Sequence, residues 1–233
     1  MKIALLGYGR MGQAIEKIAL ERGHEIVLKV DKNTEIYDVS SADVAIDFSI
    51  PSAAVSNLTN CFNAGVPVVS GTTGWLESYD EMCNLCTKKE GSFIYASNFS
   101  LGVNLFFELN KKVAQLMEPM LDNYGITTEE IHHTKKLDAP SGTAITLAEG
   151  IIENTKFEGW RLYEGDPNNL AITAKRVGDV PGTHSITYHS EVDEIEIKHT
   201  AYNRQGFALG AVVASEWLAN KKGIYGMKDV LGL

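Results

Sequence analysis

The stretch that decides the fold is Lys2-Ile3-Ala4-Leu5-Leu6-Gly7-Tyr8-Gly9-Arg10-Met11-Gly12, at the start of the chain. Its apolar run predicts a buried strand, and the residues that follow, as far as Arg22, carry apolar side chains at helical spacing. A strand that passes through Gly-x-Gly-x-x-Gly into a helix can bind the pyrophosphate of a dinucleotide, because the helix start presents free N–H groups to the phosphates. We therefore predict a dinucleotide site at Gly7, Tyr8, Gly9, Arg10, Met11 and Gly12. A glycine turn in an α/β protein that binds no nucleotide is the alternative.

An acidic residue stands where such a site contacts the adenosine ribose. Asp31 follows Gly12 by 31 − 12 = 19 residues and ends the second predicted strand. A carboxylate there binds the ribose hydroxyls and repels a 2′-phosphate, so we expect NADH to be the preferred cofactor. The neighbouring Lys32 can neutralise such a phosphate, which leaves some use of NADPH open.

Strands and helices alternate through the first hundred residues, which predicts a parallel sheet with helices on both faces. The pattern then changes to that of an α+β domain on a mixed sheet. A long helix over Val103–Asp122 is expected to open it, with Leu105, Leu109, Val113, Leu116 and Met120 near one face. The predicted fold is therefore α/β, a Rossmann-like dinucleotide-binding domain (residues 1–100 plus 204–233) followed by a second α+β domain (101–203).

Composition limits the class of protein. Hydrophobic residues make up 44% of the 233 residues, and no apolar run approaches the length of about 18 residues that spans a bilayer. The formal net charge of −9 disfavours nucleic acid as a partner. Three cysteines, Cys61, Cys83 and Cys86, are too few for a disulfide framework and are expected to be free thiols. We predict a cytoplasmic protein without a membrane or nucleic-acid partner.

The densest group of chemically active residues lies between Glu130 and Ala144. A strand ends in His132-His133, a loop carries Lys135-Lys136, and a helix begins near Ser141. Its first N–H groups, at Gly142 and Thr143, can hold a carboxylate, and a histidine can exchange a proton near neutral pH. This predicts a small anionic substrate that is protonated during reduction. The alternatives are surface histidines and an ordinary helix cap.

A zinc site is a further alternative. His132 and His133 should point to opposite faces of their strand, and the sequence near them offers no cysteine or third histidine to complete a tetrahedral set. We therefore expect no metal.

Several motifs resemble the dihydrodipicolinate reductase (4-hydroxy-tetrahydrodipicolinate reductase) family, in that family's order and across nearly the whole chain. The most specific are Glu130–Ala144, with its His-His-x-x-Lys and Pro-Ser-Gly-Thr, and Ala96-Ser97-Asn98-Phe99-Ser100-Leu101-Gly102-Val103-Asn104. The others are Gly9–Gly12, Ile46-Asp47-Phe48-Ser49, Gly71-Thr72-Thr73-Gly74, Arg176–His184 and Gly226–Leu231.

The resemblance implies a role for each matching residue. His132 would be the acid/base that protonates a ring carbon, and Lys136 a second proton donor or charge partner. The substrate would be a small dicarboxylate reduced in lysine and diaminopimelate biosynthesis, and the assembly a homotetramer. Substrate would be bound by His133, Ser141, Gly142 and Thr143, and the cofactor near its nicotinamide by Gly71, Thr72, Thr73, Ala96, Ser97, Asn98 and Phe99.

Two other functions remain possible at this point: another two-domain NAD-dependent dehydrogenase, and a non-catalytic redox sensor that binds NAD. Neither needs both His-His-x-x-Lys and Pro-Ser-Gly-Thr. The segment from Phe157 to Asn169 is hard to align with the family, and we assign it no function.

Overall fold

The computed structural model describes residues 1–34 and 36–233. The chain forms two compact units, the first made of Met1–Asn104 and Arg204–Leu233, the second of Leu105–Asn203. No helix in the described part of the chain is long and apolar enough to cross a membrane.

The first unit contains a six-stranded sheet in the order β11-β5-β4-β3-β1-β2, and every pair of neighbouring strands is parallel. Its strands are β1 (Lys2–Leu6), β2 (Glu25–Val30), β3 (Val44–Asp47), β4 (Val68–Ser70), β5 (Ser92–Tyr95) and β11 (Gly223–Tyr225). Its helices are α1 (Arg10–Glu21), α2 (Pro51–Ala64), α3 (Tyr79–Lys88), α6 (Gln205–Leu218) and α7 (Met227–Leu231). The predicted parallel sheet is confirmed.

Both faces of this sheet are buried, which explains why β1 is apolar and buried from Ile3 to Leu6. Ala4 and Leu6 point into one core with side chains of α2 and α3, and Ile3 and Leu5 point into another with side chains of α1 and α6. β1 lies between β2 and β3 in the sheet. The chain therefore passes from β1 to β2 on one side and then crosses to β3 on the other side of β1, so the strand order reverses next to β1. Ligands of open α/β sheets bind at the carboxyl ends of the strands at such a point.

The second unit is built on a mixed five-stranded sheet in the order β10-β9-β6-β8-β7. Strand β6 is antiparallel to β9 and parallel to β8. The strands are β6 (Gly125–His132), β7 (Gly159–Leu162), β8 (Asn169–Arg176), β9 (Gly182–His189) and β10 (Glu194–Ala201), and α5 is Gly142–Ile152. Strand β7 lies in the segment that could not be aligned from sequence, so that segment contributes an edge strand to the sheet.

Helix α4 (Leu101–Met117) contains the boundary between the units and corrects one expectation. The helix ends at Met117, and the side chains expected on one apolar face are mostly exposed, Leu116 at 64%. The buried residues lie on another face at the same helical spacing: Val103, Phe106, Asn110, Ala114 and Met117. Apolar side chains occur on both faces, so spacing alone did not identify the one that packs.

Candidate active site

The glycine loop after β1 has no room for larger residues at two positions. Gly7 has a φ of +99°, and a Cβ there would lie 2.2 Å from the Phe48 carbonyl oxygen. A Cβ at Gly12 would lie 2.3 Å from the Gly7 carbonyl oxygen. Gly7 allows the turn to pass close to the residue that follows β3, and Gly12 allows α1 to begin against that turn.

Gly9 has the opposite environment. It directly precedes α1, and a Cβ added there would meet no atom within 4 Å. Its small size is therefore not required by packing within the chain. The open space lies at the start of α1, whose first N–H groups have no intrahelical acceptor. These features fit a dinucleotide pyrophosphate held at Gly9, Arg10 and Met11.

Tyr8 of the glycine loop is held by an ion pair, Glu16–Lys29, that was not predicted from the sequence. The Tyr8 hydroxyl donates a hydrogen bond to the Glu16 carboxylate. The Lys29 ammonium lies 2.5 Å from Glu16 Oε1 and 4.7 Å from the centre of the Tyr8 ring. Hydrogen bonds from Lys29 and Tyr8 hold the pKa of Glu16 below its usual range. Glu16 lies on α1 and Lys29 on β2, so the two fix Tyr8 to both elements.

Asp31 directly follows β2, as expected, and forms a tight local turn. Its Oδ1 accepts hydrogen bonds from the Asn33 N–H at 2.8 Å and the Thr34 hydroxyl at 3.2 Å. Asp31 and Lys32 are both exposed. The carboxylate is therefore oriented by its own turn while remaining open to solvent.

A buried carboxylate holds the residue at the end of β4, just before the loop that follows. Asp47, at the end of β3, accepts hydrogen bonds from Ser49, Asn57 and Ser70 and is fully buried. Burial raises the pKa of Asp47, and these hydrogen bonds oppose that effect. The Thr72 hydroxyl in turn accepts the Ser49 N–H at 2.8 Å. This network joins the loops after β3 and β4.

The Phe48 ring, in the loop after β3, explains why residue 71 is glycine. A Cβ on Gly71 would lie 2.3 Å from the Phe48 ring. Thr72 is buried, whereas Thr73 is exposed. Of the two threonines assigned to the cofactor, Thr73 is thus the one with a solvent-accessible side chain.

Some of the residues that follow β5 are buried, and others are accessible to solvent. Phe99 is buried and its ring centre lies 5.6 Å from that of Phe48. Asn98 Oδ1 accepts the Ser100 N–H at 2.9 Å. Ala96 is half-buried and Ser97 exposed. Phe99 therefore has a packing role in this structure, and Ala96 and Ser97 are more accessible to a ligand.

A second group of candidate residues lies in the second unit, at the end of β6. Glu130 and His132 are two residues apart, so their side chains share one face of the strand, and both are buried. His132 Nδ1 lies 3.2 Å from Glu130 Oε2, and the His132 ring centre lies 5.0 Å from that of His184 on β9. His133 is half-buried, and its Nδ1 has no hydrogen-bond partner among the described residues.

The charges in this group are well defined. Burial acts to raise the pKa of Glu130, but its polar contacts with His132, His184, Ser141 and Arg176 outweigh that effect and hold the pKa far below its usual range. Burial lowers the pKa of His184, although the Glu130 carboxylate partly opposes this. Glu130 is therefore a buried anion, and His184 is neutral near pH 7.

Lys136 is held in the loop that follows. Its ammonium lies 2.8 Å from both carboxylate oxygens of Asp138, and this hydrogen bonding lowers the pKa of Asp138. The Arg176 guanidinium donates to the Asp138 carbonyl oxygen at 2.5 Å and to Glu130 Oε1 at 3.1 Å. Arg176 thus connects the lysine loop to the buried carboxylate.

The start of α5 is fixed to the same carboxylate. The Ser141 N–H donates to Glu130 Oε1 at 3.1 Å, and the Ser141 hydroxyl accepts the Ala144 N–H at 3.2 Å and lies 3.1 Å from His184 Nε2. Ser141 is thus a buried helix cap. Gly142 is exposed and Thr143 half-buried, and their N–H groups have no intrahelical acceptor. The start of α5 is therefore more accessible at Gly142 and Thr143 than at the buried Ser141.

The structure also changes the argument about metals. Potential ligand atoms of Glu130, His132 and His184 lie within 4.8 Å of one another, so a third histidine does lie near His132, distant only in sequence. However, the Glu130 carboxylate already contacts the Arg176 guanidinium, and His184 Nε2 contacts the Ser141 hydroxyl. A cation would have to displace these contacts beside a fixed positive charge, so we assign no metal to the group.

Sequence reasoning gave no role to Glu130, Asp138, Arg176 or His184, all of which contact the candidate residues. One signal was available, since Glu130 precedes His132 by two residues on a strand. The approach of Arg176 and His184 depends on the neighbours of β6, which are β8 and β9. That pairing order could not be obtained from strand patterns alone.

Comparison with known proteins shows which family the chain belongs to. A family model described as "Dihydrodipicolinate reductase, N-terminus" matches residues 1–99, and one described as "Dihydrodipicolinate reductase, C-terminus" matches residues 102–231. The chain belongs to the dihydrodipicolinate reductase family.

Relatives of this reductase family match the chain over its whole length. A protein of Christiangramia forsetii named 4-hydroxy-tetrahydrodipicolinate reductase is 59% identical over 99% of this chain and 98% of its own. A protein of the same name from Methanoregula boonei is 34% identical over 100% of this chain and 98% of its own. The resemblance found in the sequence motifs is thereby confirmed.

A solved structure shares the fold. Dipicolinate-bound dihydrodipicolinate reductase from a Paenisporosarcina species is similar with a TM-score of 0.76 and 24% identity, over 97% of each chain. An aspartate dehydrogenase from Thermotoga maritima reaches a TM-score of 0.51 at 13% identity, over 97% of this chain and 99% of its own. Both similarities concern the fold, which other dehydrogenases of this build also have.

Proposed function

We propose that this protein reduces 4-hydroxy-tetrahydrodipicolinate to tetrahydrodipicolinate with a nicotinamide cofactor, in lysine and diaminopimelate biosynthesis. The observation that carries the proposal is the 59% identity to a relative of that name across 99% of the chain. The buried cluster at Glu130–Ser141 supports it, because it places an acid/base next to an anion-binding helix start. The two alternatives, another dehydrogenase and a redox sensor, explain no feature of this cluster.

The reaction consumes one hydride and one proton and releases the hydroxyl of the substrate as water. The hydride comes from the bound nicotinamide cofactor. His132 gives the proton to the ring carbon. It lies beside the buried Glu130 carboxylate, whereas Nε2 of the other histidine there, His184, already contacts the Ser141 hydroxyl. Lys136 adds a positive charge near the substrate and can act as a second proton donor.

The substrate carboxylates require cationic and N–H partners. The N–H groups of Gly142 and Thr143, at the start of α5, bind one carboxylate. His133 and Lys136 lie in the adjacent segment, and the buried, unpaired Nδ1 of His133 supports a contact with ligand. Ser141 supports this site by capping α5 and holding its start, since its hydroxyl is already engaged within the chain.

The cofactor is proposed to bind along the carboxyl ends of the parallel strands. Gly7, Gly9 and Gly12 form the pyrophosphate turn with Tyr8, Arg10 and Met11. The loop at Gly71, Thr72 and Thr73 and the segment Ala96–Phe99 form the nicotinamide side, where accessibility favours Thr73, Ala96 and Ser97 as direct contacts. Asp31 favours NADH, and the exposed Lys32 beside it permits some use of NADPH.

We further propose a cytoplasmic homotetramer. Exposed apolar side chains in the second unit support self-association, among them Leu116 and Ile195, the latter on the edge strand β10. Native mass spectrometry of the purified protein tests the assembly. A tetramer is expected, and a monomer at micromolar concentration would contradict it.

An assay with coupled substrate synthesis tests the proposed function. Purified protein is added to substrate made in situ by the preceding synthase, and NADH absorbance is followed. Oxidation of NADH that requires both the synthase and this protein is expected. Absence of oxidation with NADH and with NADPH would contradict the proposal.

A further inference from the structure

Glu130 is a wholly buried carboxylate that contacts β8, β9, the residue before α5, and His132 on its own strand. Its Oε1 accepts hydrogen bonds at 3.1 Å from the Ser141 N–H, which precedes α5, and at 3.1 Å from the Arg176 guanidinium on β8. Its Oε2 lies 3.2 Å from His132 Nδ1 on β6 and 3.7 Å from His184 Nε2 on β9. A carboxylate has no reason to be buried at this point for packing alone, because burying a charge is costly unless the charge is paired.

The close approach of Glu130 Oε2 to His132 Nδ1, at 3.2 Å, favours a hydrogen on that nitrogen. Neither atom has a partner with full hydrogen-bond geometry among the described residues, so the contact between them is an electrostatic one. An ionised carboxylate only accepts hydrogen bonds, so a histidine nitrogen that faces it must carry hydrogen.

The other nitrogen of His132 faces a position without a side chain. A Cβ added to Gly182 would lie 3.1 Å from His132 Nε2. Gly182 is the first residue of β9 and has an ordinary, non-positive φ, so its backbone conformation alone does not require glycine. Any larger residue at this position would therefore crowd His132 Nε2.

We infer that Glu130 is a positioning residue that keeps His132 Nδ1 protonated, so that His132 Nε2 is the atom that gives the proton to the substrate. This inference rests on the proposed function, because it requires that His132 be the proton donor. Glu130 itself contacts no reacting atom. It acts through His132, and through Ser141 it also holds the helix start that binds the substrate carboxylate.

The charges around His132 give Glu130 a second effect. The groups in contact with the ring are Glu130 on β6 and His184 on β9. Arg176 on β8 contacts the same carboxylate, and the Lys136–Asp138 pair lies in the loop that follows β6. His184 is neutral and the Lys136 charge is matched by Asp138. A neutral amide at position 130 would remove the negative charge beside the His132 ring and leave the Arg176 cation without its carboxylate partner, which disfavours the positively charged form of the ring.

The test compares Glu130→Gln with Glu129→Gln in the NADH assay across pH. Glu129 is the adjacent residue on β6, and its carboxylate pairs with Lys175 at 2.5 Å on the other face of the strand. For Glu130→Gln we expect kcat to fall by about tenfold or more. The alkaline limb of its kcat profile should move by about one unit to lower pH. KM for NADH should not change, and Glu129→Gln should match the wild type.

Two outcomes separate this inference from the proposed function. If the wild type does not turn over the substrate, the proposed function fails. If the wild type is active and a folded Glu130→Gln variant keeps the wild-type alkaline limb, the inference alone is overturned.

A second measurement needs no Glu130 variant. In ¹⁵N-histidine NMR spectra of the wild type, with His132 assigned by comparison with His132→Gln, we expect the neutral ring to carry its hydrogen on Nδ1. A ring with hydrogen only on Nε2 would overturn the inference, whether or not Glu130→Gln folds.

Discussion

The Lys136 ammonium lies 2.8 Å from each carboxylate oxygen of Asp138, two residues further along the same loop. The pair keeps the lysine in a defined position while leaving its charge available at the surface of the loop. A substrate carboxylate bound at the start of α5, as proposed, can compete with Asp138 for this ammonium. We therefore expect Lys136 to have a role that its exposed neighbour Lys135 does not share.

Removal of either proposed catalytic side chain should abolish most of the turnover. For His132→Ala and Lys136→Ala we expect kcat to fall at least about 10²-fold, the lower end for general acid–base catalysis. Steady-state NADH oxidation measures this, and Lys135→Ala is the matched control, expected to retain activity. Near-normal turnover in both variants would remove the assignment of these residues.

Alanine at Gly9 and at Gly12 should have different effects. At Gly9 a Cβ meets no atom within 4 Å, whereas at Gly12 it would lie 2.3 Å from the Gly7 carbonyl oxygen. Gly9→Ala should keep the wild-type melting temperature and raise KM for NADH about tenfold, because the methyl group occupies the proposed phosphate space. Gly12→Ala should lose about 1–3 kcal/mol of unfolding free energy. A Gly9→Ala variant with unchanged KM would argue against phosphate binding at this position.

Asp31 should control the choice of cofactor. Replacing Asp31 with Asn removes the charge that repels a 2′-phosphate, so the ratio of kcat/KM for NADPH to that for NADH should rise about tenfold. Asp80→Asn, an exposed change in the first turn of α3, is the control. The expectation for the wild type is a preference for NADH, and a hundredfold preference for NADPH would show that Asp31 does not govern the site.

The buried carboxylate should make stability depend on pH. The pKa of Glu130 is lowered in the folded state, so the unfolded state binds more protons at acidic pH. The stabilisation from Glu130 is therefore complete above its unfolded pKa, about 4.3, and is lost as pH falls below it. Urea unfolding between about pH 3 and pH 7 should show a shallower acid loss for Glu130→Gln than for Glu129→Gln. Equal slopes would contradict the ionised state of Glu130.

The sequence contained enough information for the first sheet and the catalytic segment. The apolar run Lys2–Leu6 followed by the glycine loop predicted β1 and α1, because a strand buried on both faces and a helix start have strong local signals. Pro51 and Gly65 are likewise residues typical of a helix start and a helix end. They lie at the two ends of α2, where Gly65 has the left-handed conformation that ends a helix. These elements depend mainly on residues close in sequence.

Features that depend on tertiary neighbours were not predictable in the same way. The buried face of α4 was misjudged because apolar residues occur on more than one face, and only packing selects among them. Strand β7 was missed because Gly159–Leu162 is short and lies at an edge. His184 lies 184 − 132 = 52 residues after His132 in the sequence. The two rings come close together because β6 pairs with β9.

The most direct test of the proposed reduction is to follow the hydride itself. The protein is supplied with NADH deuterated at the transferred C4 position and with substrate made in situ, and the product is analysed by mass spectrometry. We predict tetrahydrodipicolinate that carries one deuterium, at a rate that His132→Ala reduces at least about 10²-fold. A reduced product without deuterium, or cofactor oxidation without that product, would contradict the account.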